Sequence, residues 1–308
     1  MRSRLILLAA AVVLSSCGDD SDLPPMVSGG GANNARADAI YEKALGYEQS
    51  GKRSKAIKQY DKIADDIPLA TKAPEARFRQ AKLLEEEGAT LKAFDAYQDL
   101  IVRYQGSGHY KESLDAQARM AFAAADGDIK NSFLGMKSKL SPDKIAGMLQ
   151  KVADNAPRSS VGARAEYKMG DIYAERDEIS KAVRAYRGVV EGYPDSPEAP
   201  EAQFRIGEIL MKQAQEGNQD QANLNRSREA FQDYLSQFPG HKRNGEARSL
   251  LGSLGNRDIK NTYDIARFYE KKGNYSSAKF YYQEVMREAK SGEYYDKSKA
   301  RLDALGGN

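Results

Sequence analysis

The sequence predicts an all-α solenoid of stacked helix–turn–helix repeats. Three observations predict it: a five-position pattern that recurs without internal gaps, a constant step between units, and glycines where paired helices would turn. The pattern is Gly170, Tyr173, Ala182, Tyr186 and Pro194. It recurs at Ala44, Tyr47, Ala56, Tyr60 and Pro68. Ala81, Leu84, Ala93 and Tyr97 repeat it with Gln105 for proline; Ala266, Tyr269, Ala278 and Tyr282 repeat it with Lys290. Small residues let two antiparallel helices approach, and aromatics three or four residues on lie on the same face. The proline ends the second helix, because a residue before proline avoids the α region. One such pair cannot bury its apolar face alone, and stacking makes the core continuous.

This is the tetratricopeptide signature, lengthened to a period of about 37 residues. The first repeat is expected near 37–68 with its turn at Gly51, the second near 74–105 with its turn at Gly88. Thirteen residues separate Pro68 from Ala81, Gln105 from Ala118, Pro157 from Gly170 and Pro194 from Gly207. That step places an irregular third repeat at 111–157: helices Lys111–Ala125 and Asp143–Asn155, with an insert at 126–141. Ser141-Pro142-Asp143 is a good helix start, with proline just inside. The fourth repeat falls at 163–194. The fifth, at 200–239, begins with Gly207 and Leu210, resumes at Ser227 and Phe231, and has a turn extended by Gln215–Asn223. An extra helix, Arg243–Leu254, precedes the sixth repeat at 259–290, whose turn holds Gly273, and a closing helix is expected at 294–305. The solenoid thus occupies 37–308.

The N-terminus is different. Arg2 and Arg4 precede an apolar run from Leu5 to Leu14 that ends in Leu14-Ser15-Ser16-Cys17. A charged start, a short apolar core and small residues at a cut site make a secretory signal over residues 1–16, too short to remain as a spanning helix. The tetrapeptide resembles the lipobox of bacterial lipoproteins. That resemblance implies acylation of Cys17, palmitate included, as the first residue of the mature chain. Gly18 and Asp19 follow; the inner-membrane retention rule places its aspartate one position earlier, so the anchor is expected in the outer membrane, facing the periplasm. Residues 17–36, with Pro24-Pro25 and a Gly-Gly-Gly run, read as a flexible tether reaching roughly 25 Å.

Residues 1–16 contain two arginines and no acid, which leaves 45 basic against 44 acidic side chains. So balanced a surface has little long-range pull on phosphate backbones, and nucleic acid is not expected as a partner. Cys17 is the only cysteine, so no disulfide forms within the chain. His109 and His241 each follow glycine in loop-like stretches, and no metalloprotease, P-loop or nucleophile-elbow motif occurs. An enzyme, a cofactor and a metal are not expected. Asn274-Tyr275-Ser276 fits a glycosylation acceptor and reads as coincidence behind a bacterial lipobox.

Two surfaces are candidates for protein binding. Three residues before the small anchors stand Tyr41, Phe78, Tyr167, Phe204 and Tyr263; only the third repeat breaks the series, with Asp115. On an inner wall this ladder could grip an extended peptide; the alternative packs each ring against the preceding repeat. The second surface is the last repeat, where Arg267, Tyr275, Phe280 and Tyr281 are candidates. One helix face cannot bury Phe280, Tyr281 and Tyr282 together, so at least one ring turns outward, onto the closing helix or a partner.

Signal, lipobox, tether and repeats together resemble the outer-membrane β-barrel assembly lipoprotein family, BamD. The nearest local resemblance is Ala266-Arg267-Phe268-Tyr269 through Gly273-Asn274-Tyr275 to Ala278, with the extra helix before it. The resemblance implies a periplasmic scaffold on the outer membrane. Its partners would be the barrel-forming insertase and other assembly-complex subunits, held through the C-terminal repeats, and unfolded outer-membrane proteins, met through the N-terminal ones. The chain departs from the family in an array longer than five repeats, in the third-repeat insert, and in Tyr281 where an arginine is common. The alternative is the Tol–Pal-associated coordinator of cell-wall synthesis, whose repeats are similar to Ala165–Gly170 and Tyr193–Ala202. Members of that family begin with a coiled coil, and residues 18–36 show no heptads.

Overall fold

The computed structural model describes residues 30–128, 130–133, 136–216 and 221–306. The signal sequence, Cys17 and residues 17–29 of the expected tether lie outside them. Thirteen helices and two short strands make up the described residues.

The chain divides into two compact units, Met1–Ala76 and Arg77–Asn308, with the boundary inside the third helix. In the first unit α1 (Gly30–Gln49) pairs with α2 (Arg53–Asp66). Helix α1 begins seven residues before the expected start at 37, so residues 30–36 of the expected tether are helical. Ala37, Ala44, Ala56 and Tyr60 are fully buried between the two helices.

In the second unit the helices follow as α3 (Ala73–Glu86, which begins in the first unit), α4 (Thr90–Arg103), α5 (Tyr110–Ala125), α6 (Pro142–Asn155), α7 (Ser160–Glu175), α8 (Ile179–Gly192), α9 (Glu198–Glu216), α10 (Gln221–Gln237), α11 (Asn244–Lys271), α12 (Tyr275–Ala289) and α13 (Glu293–Ala304). This is the tetratricopeptide solenoid the spacing predicts. Gly170 and Gly207 show why the anchors are small. A methyl at Gly170 would lie 2.5 Å from the Tyr186 ring, and one at Gly207 2.7 Å from the Phe231 ring. Gly51, Gly88 and Gly273 sit at the expected turns with φ of 72°, 71° and 75°, where a side chain is strained. In the fourth repeat Asp177 takes that place at φ 55°.

One expectation changes, and two places the spacing left open are filled. The extra helix and the first helix of the last repeat are one continuous helix, α11, of 28 residues. Gly255-Asn256 reads as a break, yet Gly255 keeps a negative φ and the ladder runs through it. The insert, to which the spacing assigns no secondary structure, contains two antiparallel strands ahead of α6, β1 (Lys130–Phe133) and β2 (Met136–Lys139). Finally, the sixth repeat lacks the terminal proline, and α12 ends instead on Lys290 in the left-handed region, its N–H donating to the Met286 carbonyl at 3.2 Å. The expected start of α6 holds: the Ser141 hydroxyl accepts from the Lys144 amide at 3.4 Å.

Candidate functional site

The aromatic ladder packs inside the repeats. Each ring meets an aromatic on the second helix of its own repeat: Tyr41 with Tyr60 at 5.6 Å between centroids, Phe78 with Tyr97 at 6.2 Å, Tyr167 with Tyr186 at 5.4 Å, Phe204 with Phe231 at 5.2 Å, Tyr263 with Tyr282 at 5.6 Å. Four rings are also covered by a side chain leading into the next helix pair or the closing helix. Lys72 lies over Tyr41, His109 stacks on Phe78 at 4.3 Å, Arg243 sits 3.5 Å above Phe204, and Tyr294 meets Tyr263 at 5.4 Å. Tyr41, Phe78 and Phe204 are buried and Tyr167 and Tyr263 half-buried. Burial pushes the Tyr167 phenol up to about 12, with the Asp171 carboxylate adding to the rise. The ladder is therefore core, against its reading as an open peptide wall. It packs within each repeat and forward, where the alternative had it packing backward.

A second regularity escaped the sequence reading. Tyr60 donates to Glu48 at 2.6 Å, Tyr97 to Glu85 at 2.9 Å, Tyr186 to Asp171 at 2.7 Å and Tyr282 to Glu270 at 2.6 Å. In the second unit an arginine from the following helix completes the tie. Arg119 reaches Glu85 at 2.7 Å, Arg205 reaches Asp171 at 3.7 Å, and Arg301 of α13 pairs with Glu270. In the second, fourth and sixth repeats tyrosine, carboxylate and arginine thus fasten the helix pair to the helix that follows. The visible signal is an acid directly after the large first-helix residue, twelve residues before a tyrosine (Tyr47-Glu48, Leu84-Glu85, Tyr269-Glu270); the fourth repeat uses Asp171 instead, fifteen residues before Tyr186.

With the ladder inside, the exposed apolar surface concentrates at the last repeat. Of six large apolar side chains that stand exposed among the described residues, four belong to it: Ile265, Phe268, Tyr275 and Phe280. The local packing explains why. Ala266 and Ala278 are fully buried where α11 and α12 cross, and Tyr282 fills the core beside them. Leu302 and Leu305 close that core from the C-terminal side. Tyr282 takes the inward position, so Phe280 points out, 56 % exposed. Tyr269 is likewise drawn inward, and Phe268, the residue before it, is left 56 % exposed.

These rings form one strip. Phe268 meets Tyr269 edge-on at 5.6 Å, Tyr269 stacks on Tyr281 at 5.5 Å with 2° between planes, and Tyr281 meets Phe280 at 5.3 Å. An open groove of about 690 Å³ flanks it, lined by Tyr263, Asp264, Arg267, Phe268, Glu270, Lys271 and Arg301. The Lys272 ammonium lies 5.8 Å from the Phe268 ring centre. The Glu270 carboxylate is neutralised by Arg301, which holds its pKa below the usual range together with the Tyr282 hydroxyl. Arg267, Lys271 and Lys272 then give the strip a cationic border. Of the candidates in this repeat, the structure brings Tyr281, Phe280 and Arg267 to the strip and groove, and leaves Tyr275, 55 % exposed, outside the ring chain. Phe268 was quoted in the motif but not singled out as a site residue.

A contiguous aromatic strip, exposed at Phe268 and Phe280 and with a charged border, is the anatomy of a protein-docking surface. Among the described residues no group of three or more His, Cys, Asp or Glu could hold a metal ion. Among them, too, no helix is long and apolar enough to cross a membrane.

A family model described as outer membrane lipoprotein (YfiO) matches residues 146–304, which run from α6 into α13. A tetratricopeptide repeat model matches residues 75–107, the second repeat. No match is found among curated proteins. Among solved structures, the chain is similar to Pseudomonas aeruginosa PilF at 12 % identity, over 88 % of this chain and 99 % of that one, with a TM-score of 0.29. It is also similar to a tetratricopeptide repeat protein from Thermus thermophilus at 16 % identity, over 71 % and 98 %, with a TM-score of 0.30. A third is YrrB, described as having an unusual peptide-binding site, at 14 % identity, over 78 % and 97 %, with a TM-score of 0.31.

Proposed function

The chain belongs to the outer membrane lipoprotein family whose model spans residues 146–304, and from that membership we propose that it is a periplasm-facing scaffold in the assembly of β-barrel outer-membrane proteins. A lipid on Cys17 holds it to the outer membrane. It works by binding proteins and carries out no chemistry of its own. The observation that carries the reading is the ring strip from Phe268 to Phe280, which lies inside the matched region and leaves apolar surface uncovered in the repeat. Its partner is the barrel-forming insertase or another subunit of the same assembly complex. Unfolded outer-membrane proteins are the substrates of that complex.

The test is co-isolation in mild detergent. The wild-type chain is expected to bring down an integral β-barrel insertase. The F268A/F280A variant is expected to lose it, because two exposed aromatic anchors of this kind contribute on the order of 2–4 kcal/mol together. Both side chains are more than half exposed, so the variant keeps its helicity and melting profile. Recovery with peptidoglycan synthases or Tol–Pal components in place of the insertase would assign the chain to cell-wall coordination.

A further inference from the structure

A groove of about 330 Å³ runs along α9 between α8 and α10, and its floor holds Gln203, Ile206 and Leu210, all buried. We propose that this groove docks an α-helix of a partner protein that presents a basic and an acidic side chain one to two turns apart on one face. The inference concerns the fourth and fifth repeats and stands independently of the assembly role.

Charge is sorted along the groove. Gln203 donates to the Ala230 carbonyl at 2.9 Å and Ser227 to the Gly207 carbonyl at 2.9 Å, so α10 runs antiparallel to α9. Helix α8 does the same, because a short connection joins it to α9. Glu191 and Asp233 therefore flank the Gln203 end of the groove, and Arg187 and Arg226 flank the Leu210 end. Glu229 stands on α10 between the two. Arg226 and Asp233 are seven residues apart, about 10 Å of helix, and Arg187 and Glu191 four residues, about 6 Å. All five side chains are exposed, and among the described residues no ion pair holds any of them; Arg226 donates only to the Asn223 side chain, at 3.3 Å.

The second repeat shows what the fifth lacks. There the residue before the ladder aromatic is Arg77, which pairs at 2.7 Å with Asp99, two residues after Tyr97. The same two places in the fifth repeat hold Gln203, before Phe204, and Asp233, two residues after Phe231. Gln203 is neutral and is turned to the Ala230 carbonyl, so Asp233 lacks the internal cation that Asp99 has. A lysine or arginine from outside would supply it, its aliphatic stem lying over Ile206 and its charged head at Glu191 and Asp233. An acid on the same partner would meet Arg187 and Arg226. Two helices side by side leave a furrow that a third fills ridge into groove, and side chains four residues apart share one helix face about 6 Å apart along the axis. A helix of a single charge sign would be repelled at one end of the groove.

The probe is a fluorescein-labelled peptide, three copies of Ala-Lys-Ala-Ala-Leu-Glu-Ala, titrated into the full mature chain and followed by anisotropy. We expect saturable binding, weakened about fivefold by E191Q/D233N and by about the same factor by R187Q/R226Q, since each variant removes two rim charges. Peptides with Gln for every Glu, or Gln for every Lys, should bind the wild-type chain more weakly than the mixed one. R187E/R226E should invert the first preference and favour the peptide that keeps only lysine. A peptide with proline for the central alanine of each copy, which cannot form the helix, should not bind. The substituted protein side chains are all exposed, so each variant keeps the wild-type melting profile. Absent binding, equal binding of the mixed and single-sign peptides by the wild type, equal binding of the proline peptide, or an unchanged preference in R187E/R226E would overturn the proposal.

Discussion

Replacing Gly170 with alanine tests the packing logic of the array with a sign that propensity alone gets wrong. Gly170 lies inside α7, where glycine costs about 1 kcal/mol relative to alanine, so an exposed position would gain by the change. Here the new methyl would stand 2.5, 2.6 and 2.8 Å from Cε1, Cδ1 and Cζ of Tyr186. That ring cannot step aside. It is fully buried, its hydroxyl is tied to Asp171 at 2.7 Å, and Tyr167 packs on it at 5.4 Å. Ordinary carbon contact needs about 3.5 Å or more, so α7 and α8 must part by roughly 1 Å. Overpacking of this size costs about 1–3 kcal/mol. Against a propensity gain of about 1 kcal/mol, the net expectation is a loss of up to about 2 kcal/mol. Gly147 in α6 is the matched control: a methyl there meets nothing within 4 Å, and Gly147→Ala should gain about 0.5–1 kcal/mol. Urea titration followed by circular dichroism reads both variants. The account requires that G170A gain nothing where G147A gains; a G170A chain stabilised as much as G147A would refute the close helix approach on which the repeat reading rests.

Three further outcomes follow from the same structure. Asp177→Gly should stabilise the fourth repeat by about 0.5–1 kcal/mol in a urea melt, since it relieves a left-handed residue. The ion pair lost with it, Lys212–Asp177 at 3.2 Å, is more than half exposed on both sides and contributes little. Glu270 has a folded pKa depressed by Arg301, so its tie to α13 is fully present above the ordinary carboxylate range and is lost as pH falls through the depressed value. Amide exchange in α13 should therefore quicken below about pH 4, and Glu270→Gln should remove that dependence. Cys17→Ala should move the protein from the membrane to the soluble fraction; an unchanged fractionation would end the anchor reading.

Spacing made the repeats legible because it records how helices meet. The small anchors, the prolines and the turn glycines each answer a steric need that operates over a few residues. What spacing could not convey is which side of a ring is covered. Tyr41, Phe78 and Phe204 recur like a binding wall, but the groups that cover them, the basic side chains Lys72, His109 and Arg243, come from 31 to 39 residues later, outside the reach of a pattern within one repeat. The two strands were hidden for a different reason: Lys-Asn-Ser-Phe and Met-Lys-Ser-Lys are four residues long, each with a single apolar residue, and show no apolar alternation. Continuity of α11 through Gly255 is a tertiary override, in which burial of Ala247, Leu254 and Ala266 along one helix outweighs a local breaker. At the last repeat the triple aromatic did foretell an outward ring. It took the burial of Tyr282 and Tyr269 to show that the outward rings are Phe280 and Phe268.

The central claim is that this protein meets its partner through the exposed strip of the last repeat. Site-specific photocrosslinking in living cells tests it most directly, with a photoreactive residue in place of Phe280 and, as controls, in place of Leu69 and Val102. Those two are exposed at 67 % and 58 %, comparable to the 56 % of Phe280, but lie just after the first repeat and within the second. The account predicts an adduct between the Phe280 position and a component of the β-barrel assembly complex, with none from the controls. An adduct to that complex from Leu69 or Val102, and none from Phe280, would contradict it.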